Sequence, residues 1–206
     1  MTAPTWATAG ELKPAPEPLL LVQSFVNSAD FDSGTDALAN AVTANRWLRD
    51  AGLEGSAVTA TADELRGARD VREDIRALLL ANGGGPRPAA GTLHALQAVI
   101  NDARLKLALD PDGRIHLIAG QAHRLADGLL TLLVIIRDAQ RDGSWARLKA
   151  CGNDDCRWVF YDRSHSRQGA WCDMATCGNM IKNRNLRARR GGQARSTPAT
   201  ARPVGG

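Results

Sequence analysis

The 206-residue chain has four cysteines, Cys151, Cys156, Cys172 and Cys177, and they fall in two close pairs. Four residues separate the members of each pair, and fifteen separate the pairs. This spacing suits zinc, which takes four thiolates tetrahedrally once a folded connection brings two such pairs together. Two disulfides, or four unrelated buried thiols, are the alternatives. The first ten residues lack the basic and apolar regions of a signal peptide, so a reducing cytoplasm is expected, and there clustered thiols read as a metal site. Every ligand must lose its proton, and four thiolates around Zn2+ leave a formal charge of −2. Lys149, Arg157, Arg163, Arg167 and Lys182 are the cations near enough in sequence to offset it. His165, in a polar turn outside the paired pattern, reads as a solvated residue rather than a ligand.

The residues between and after the cysteines suggest how the ligands are held. Gly152-Asn153-Asp154-Asp155 is a turn-forming knuckle, Arg157 to Tyr161 a strand, and Asp162 to Ser166 a polar turn. Trp171-Cys172 returns, and Cys177 belongs in the first turn of a helix running to about Arg190. At 100° per residue, Cys177, Ile181 and Ala188 share one face of that helix, with Arg184 at its edge. Lys182, Arg187, Arg189 and Arg190 take the remaining arc with Asn179 and Asn183, interrupted by Leu186. Arginine and asparagine on an exposed helix can contact phosphates and base edges, so these seven polar residues are the candidate nucleic-acid interface. Trp145, Trp158 and Trp171 could stack on bases, but in so small a finger they read first as core.

Charge follows the same division. From residue 141 onward there are 13 Lys and Arg against 5 Asp and Glu, whereas the whole chain carries a net charge of only +4. An acidic body therefore precedes a basic, anion-seeking end.

The elements that must carry this end are helical. Residues 1–18 mix Pro, Ala and Thr without periodicity and read as a flexible leader. Helices are expected over Leu19–Asp30 and Ala37–Ala51. A third, opened by the capping box of Thr61 and Glu64, should run to about Ala81, and a fourth should span Ala89–Ala103. Leu105–Leu109 and Arg114–Ile118 alternate around Asp110-Pro111-Asp112-Gly113, which predicts a β-hairpin. A long helix, apolar nearly all round between Leu129 and Ile136, should follow over Gln121–Asp142. No stretch reaches the roughly 20 apolar residues of a membrane span. The tail 191–206 has a disordered composition. The expected fold class is mainly α (α+β): a helical N-terminal domain (19–143) with one β-hairpin, then a small zinc finger (144–190). Asn27, Arg46 and Arg72, polar groups on or beside apolar helix faces, are candidates for orienting a small ligand in the body, with exposed helix positions or structural hydrogen bonds as the alternative.

Two runs carry a specific resemblance: Cys151-Gly-Asn-Asp-Asp-Cys156-Arg-Trp-Val-Phe-Tyr-Asp162, and Trp171-Cys172-Asp-Met-Ala-Thr-Cys177-Gly178-Asn179. Together they resemble the CGNR zinc finger family, whose knuckle, hairpin and helix follow a treble-clef-like order. Phe25-Val26-Asn27-Ser28, Trp47-Leu48-Arg49, Val71-Arg72 and the hairpin resemble that family's helical partner, the ABATE domain. The resemblance implies a bacterial, stress-related transcription regulator holding one structural zinc ion. The family signature ends in arginine where this chain has Met180.

No P-loop, dinucleotide-binding glycine pattern or HExxH motif is present, and His94, His116, His123 and His165 show no catalytic spacing. The expectation is a cytoplasmic, non-enzymatic DNA-binding regulator whose helical body senses a small molecule or recruits a partner. RNA binding, or a protein-interaction module with a purely structural zinc site, is the alternative.

Overall fold

The computed structural model describes residues 4–7, 11–53, 59–89, 91–102, 104–119 and 125–194. It divides into two compact units, Met1–Cys172 and Asp173–Gly206.

Six helices and three antiparallel strand pairs make up the described residues. In the first unit these are α1 (Leu19–Val26), β1 (Ala29–Asp30), β2 (Thr35–Asp36), α2 (Ala41–Asp50), α3 (Ala62–Asn82), α4 (His94–Asp102), β3 (Leu105–Leu109), β4 (Ile115–Ala119), α5 (Leu125–Asp142), β5 (Leu148–Ala150) and β6 (Val159–Tyr161). The second unit holds α6 (Asn179–Ala194). β1 pairs with β2, β3 with β4, and β5 with β6. The expected mainly helical architecture is what the chain adopts.

Local chemistry explains where the helices begin. The Thr61 hydroxyl accepts from the Glu64 N–H, and the Glu64 carboxylate accepts from the Thr61 N–H, so the expected capping box opens α3. Such a cap contributes about 1 kcal/mol. Asn40 caps α2 by accepting from the Val42 and Thr43 N–H groups, which starts that helix four residues later than periodicity suggested. α4 begins at His94 rather than Ala89, because Asp74 on α3 accepts from the Ala95 and Leu96 N–H groups. α1 stops at Val26 rather than Asp30, since Ala29 and Asp30 pair with Asp36 and Thr35.

One core joins the helices to the start of the finger. Phe25 of α1, Leu48 of α2, Ile75 and Leu79 of α3, and Leu125 and Leu132 of α5 are fully or nearly fully buried. Leu148, Ala150, Val159 and Tyr161 of β5 and β6 belong to the same cluster. Gly128 lets α5 touch the 53 backbone: a Cβ there would lie 1.6 Å from the Leu53 carbonyl oxygen.

Residues 11–18, assigned by composition to a flexible leader, are instead held against this unit. Ala15 is buried and its N–H donates to Gln23 Oε1. The Lys13 carbonyl accepts from the Tyr161 N–H at 2.9 Å. Glu11 accepts from Asn27 Nδ2 and Trp158 Nε1, and burial pushes its carboxyl above the usual range. Two of these partners, Trp158 and Tyr161, stand some 147–148 residues away along the chain, and composition carries no trace of them.

Candidate metal centre and nucleic-acid interface

Cys151 follows β5 directly, and its N–H donates to the Trp158 carbonyl at 2.9 Å, closing the knuckle. Inside it the Asn153 carbonyl accepts from both the Cys156 and Arg157 N–H groups, at 2.9 and 3.0 Å. Arg157 completes the turn at φ 52°, a left-handed conformation uncommon for a residue with a side chain. The Gly152 N–H donates to the Ala170 carbonyl, bringing the 170–172 return alongside, and the Trp171 ring packs against Gly152 so closely that a Cβ would sit 3.2 Å from it.

The connection between the pairs is pinned by a buried ion pair. Lys149 Nζ donates to Asp162 Oδ2 at 2.9 Å and also to the Arg167 and Gly169 carbonyls. Burial alone would raise the Asp162 carboxyl. Hydrogen bonds from Ser164, Lys149 and Gly169 outweigh it and hold the carboxyl well below the usual range. Lys149 was expected to offset the charge of the thiolates; its ammonium group is used by Asp162 and the two carbonyls.

The second unit begins with its own cap. The Asp173 carboxylate accepts from the Ala175 and Thr176 N–H groups and the Thr176 hydroxyl, starting the π-helical turn Met174–Gly178 that carries Cys177. This turn leads directly into α6, close to the sequence-based placement of Cys177.

The sulfurs of Cys151, Cys156, Cys172 and Cys177 all lie within 4.8 Å of one another. None of the four thiols is in a disulfide: Cys156 and Cys172 stand 3.6 Å apart, far beyond the ~2.05 Å of an S–S bond. Tetrahedral Zn–S bonds of about 2.3 Å place sulfurs about 3.8 Å from one another, so the cluster fits zinc. Hydrogen bonds from Cys156 and Cys172 lower the pKa of Cys151, while the interaction with Cys151 raises those of Cys156 and Cys172. Thiols this close cannot all ionise together unless a cation joins them, and zinc supplies that charge and a rigid crosslink. His165 is exposed and stands outside the four-cysteine group.

On α6, Ile181 is buried, and Asn179, Lys182, Asn183, Arg184 and Arg187 are exposed. Met180, Asn183, Arg184 and Arg187 line one shallow groove, as their spacing of three, four and seven residues requires. Met180 itself is 54% exposed. α6 extends to Ala194, four residues past its expected end, so the first residues assigned to a disordered tail are helical. Arg189 and Arg190 lie on the helix, with side chains outside the described residues, and His123 lies outside the described residues altogether.

In the body, the three polar candidates have separate surroundings. Asn27 is buried; its Nδ2 donates to the Val159 carbonyl at 2.9 Å, and its Oδ1 accepts from the Val159 N–H at 2.8 Å. Arg72 is buried and grips both Asp36 oxygens, at 2.7 and 2.9 Å. Arg46 is exposed on α2. Sequence reasoning missed two further groups that tie the finger to the helices. Gln23 Nε2 donates to the Val159 and Lys13 carbonyls. Arg76, 2% exposed, donates to the Arg157 and Val26 carbonyls. The signal for Gln23 was a polar residue inside an otherwise apolar helix. A cavity of about 810 Å3 lies between α3, α4 and α5, with Val71, Val99, Leu125 and Leu129 in its wall and Asp70 and Asp102 among its polar groups.

A helical body leading into a four-cysteine cluster that fits zinc defines a zinc-finger protein rather than a generic helical domain. Comparison with protein families agrees: the ABATE family, described as "Putative stress-induced transcription regulator", matches residues 20–141, and the CGNR zinc finger family matches residues 147–190. The chain belongs to the ABATE family and carries a CGNR zinc finger at its C-terminal side. No curated protein matches it. Among the described residues, no helix is long and apolar enough to cross a membrane.

Proposed function

We propose that this chain is a transcription regulator that binds DNA through α6, with zinc fixing the turn from which that helix starts. The observation that carries the reading is the exposed set of Lys182, Arg184 and Arg187, with Asn179 and Asn183 between Lys182 and Arg187 around the helix. After Asp173 the chain has seven Lys and Arg and no acidic residue. Arginine and lysine bind phosphate, and asparagine adds hydrogen-bonding capacity toward adenine edges.

The zinc in this reading is structural. Four thiolates fill its coordination sphere and leave no position for water or substrate, so the protein acts by binding rather than by catalysis. Its compartment is the bacterial cytoplasm, where the thiols stay reduced. The ligand-sensing role of the body fits the cavity between α3, α4 and α5 better than Asn27 and Arg72, whose polar groups are used within the fold.

The test is binding of random duplex DNA, single-stranded DNA and RNA by the zinc-loaded protein across a salt series. Duplex should bind most tightly at ~50 mM salt, with affinity falling log-linearly as salt rises. Arg184→Ala and Arg187→Ala should each lower the slope by about one unit while zinc content stays unchanged. Preference for RNA would redirect the reading to RNA. Absence of binding to any nucleic acid at ~50 mM salt would leave a protein-docking helix.

A further inference from the structure

The β3–β4 hairpin is apolar on one face and reaches past the helices that support its base. Strand alternation and the register, which sets Leu107 opposite Leu117 and Leu109 opposite Ile115, put these side chains on one face with Leu105. Leu105 and Leu117 line an apolar groove of about 390 Å3 together with residues of α4 and α5, Leu96, Ile100, Leu130 and Leu133 among them. Toward the tip the same face is open: Leu107 is 72%, Leu109 70% and Ile115 70% exposed. Ile100, at the groove's edge, is 56% exposed.

A two-stranded hairpin is marginal in water, and among the described residues no further strand pairs with either of its edges. Leaving its apolar face wet at the tip is unfavourable for a monomer. The exposed Leu and Ile side chains here present on the order of 400 Å2 of apolar surface, at the size where patches mark interaction sites. With the groove and the hairpin edges added, the face approaches the ~800 Å2 per partner of a stable interface.

We propose that the occupant is a second copy of this chain, with the hairpin arm of each copy lying in the other's groove. The patch has two shapes on one molecule, a projecting apolar arm and a contiguous apolar recess. A two-fold axis sets each against its complement, as an isologous interface requires. The described lining of the groove is apolar but for Gln97, Arg137 and Gln140, and Arg137 is held by Asp138 at 2.6 Å, so no buried charge opposes an apolar arm.

Sedimentation velocity and light scattering of the full zinc-loaded protein, from about 1 to 100 μM, test this. A particle of twice the 22.0 kDa chain mass is expected. Leu107→Lys with Ile115→Glu should weaken self-association at least a hundredfold, since central apolar anchors dominate such interfaces. Both positions are mostly exposed, so the variant should keep the wild-type circular dichroism and zinc content. Should it fail to fold, amide exchange of the wild type decides: protection over 105–118 must rise with protein concentration. A wild type that stays monomeric at 100 μM overturns the proposal, including one whose groove takes up a hydrophobic dye. A dimer that survives the double substitution, or exchange at 105–118 that ignores concentration, overturns it too.

Discussion

Asn27 shows how one side chain can hold two parts of this protein together. Its buried amide makes both an accepting and a donating hydrogen bond to the backbone of Val159. Asn27→Ala should lower stability by about 2–4 kcal/mol, because it orphans a buried N–H and weakens the hold on the carbonyl. Urea denaturation of the zinc-loaded protein would measure this; a loss below about 0.5 kcal/mol would show that the pair is dispensable. The residue was visible in the sequence as a polar group beside an apolar helix, open to a ligand contact or to a structural hydrogen bond. Only the fold supplies a strand from beyond residue 150 as its partner. Asp36 gives the pH counterpart. Burial raises its carboxyl, but the hydrogen bond and charge of Arg72 prevail and lower it below the ordinary 3.8. A lowered folded-state value means the contribution is complete above pH about 3.8 and is lost as pH falls through the folded value. Asp36→Asn should therefore lower stability at neutral pH and flatten its decline below pH about 4, as read from denaturation midpoints across pH.

Among the elements, those specified by neighbouring residues were legible in the sequence. The Thr61–Glu64 box set the start of α3, and Asp110-Pro111-Asp112-Gly113 set the turn between β3 and β4, because the chemistry involved lies within a few residues. β5 was not legible: three residues carry no periodicity, and Leu148–Ala150 is a strand because Val159–Tyr161 lies beside it. α4 was placed five residues early, since its cap comes from Asp74 on another helix. This distribution of partners shapes what metal removal should do. β5 and β6 share their core with α1 and α3, whereas the knuckle and the Met174–Gly178 turn have few buried apolar groups. Chelation should therefore raise amide exchange over 151–158 and 171–187 while 148–150 and 159–161 stay protected with the helices. Cys172→Ser and Cys177→Ser should produce the same pattern and reduce zinc below the expected one per chain. Loss of protection throughout the helices would show instead that the metal supports the whole fold.

At the scale of the molecule, the proposed DNA binding and self-association make charge and copy number the quantities to test. Met180 stands in the same groove as Arg184 and Arg187, at the position where the family signature has arginine. Met180→Arg should steepen the salt dependence of duplex binding by about one unit and tighten binding, with gel shift over a salt series as the readout. An unchanged slope would place that groove away from the phosphates. Two copies joined at their hairpins would carry two such helices, and the slope of the dimer should exceed that of the Leu107→Lys, Ile115→Glu variant. The clasp of Gln23 and Asn27 on Val159 has one more consequence. Residues 144–190 cannot be transplanted as a cassette: grafted onto a foreign body, they would leave Leu148, Val159 and Tyr161 without the helices that cover them. Recombination that shuffles regulators by exchanging their C-terminal modules should spare this pairing, so that finger and body are inherited together.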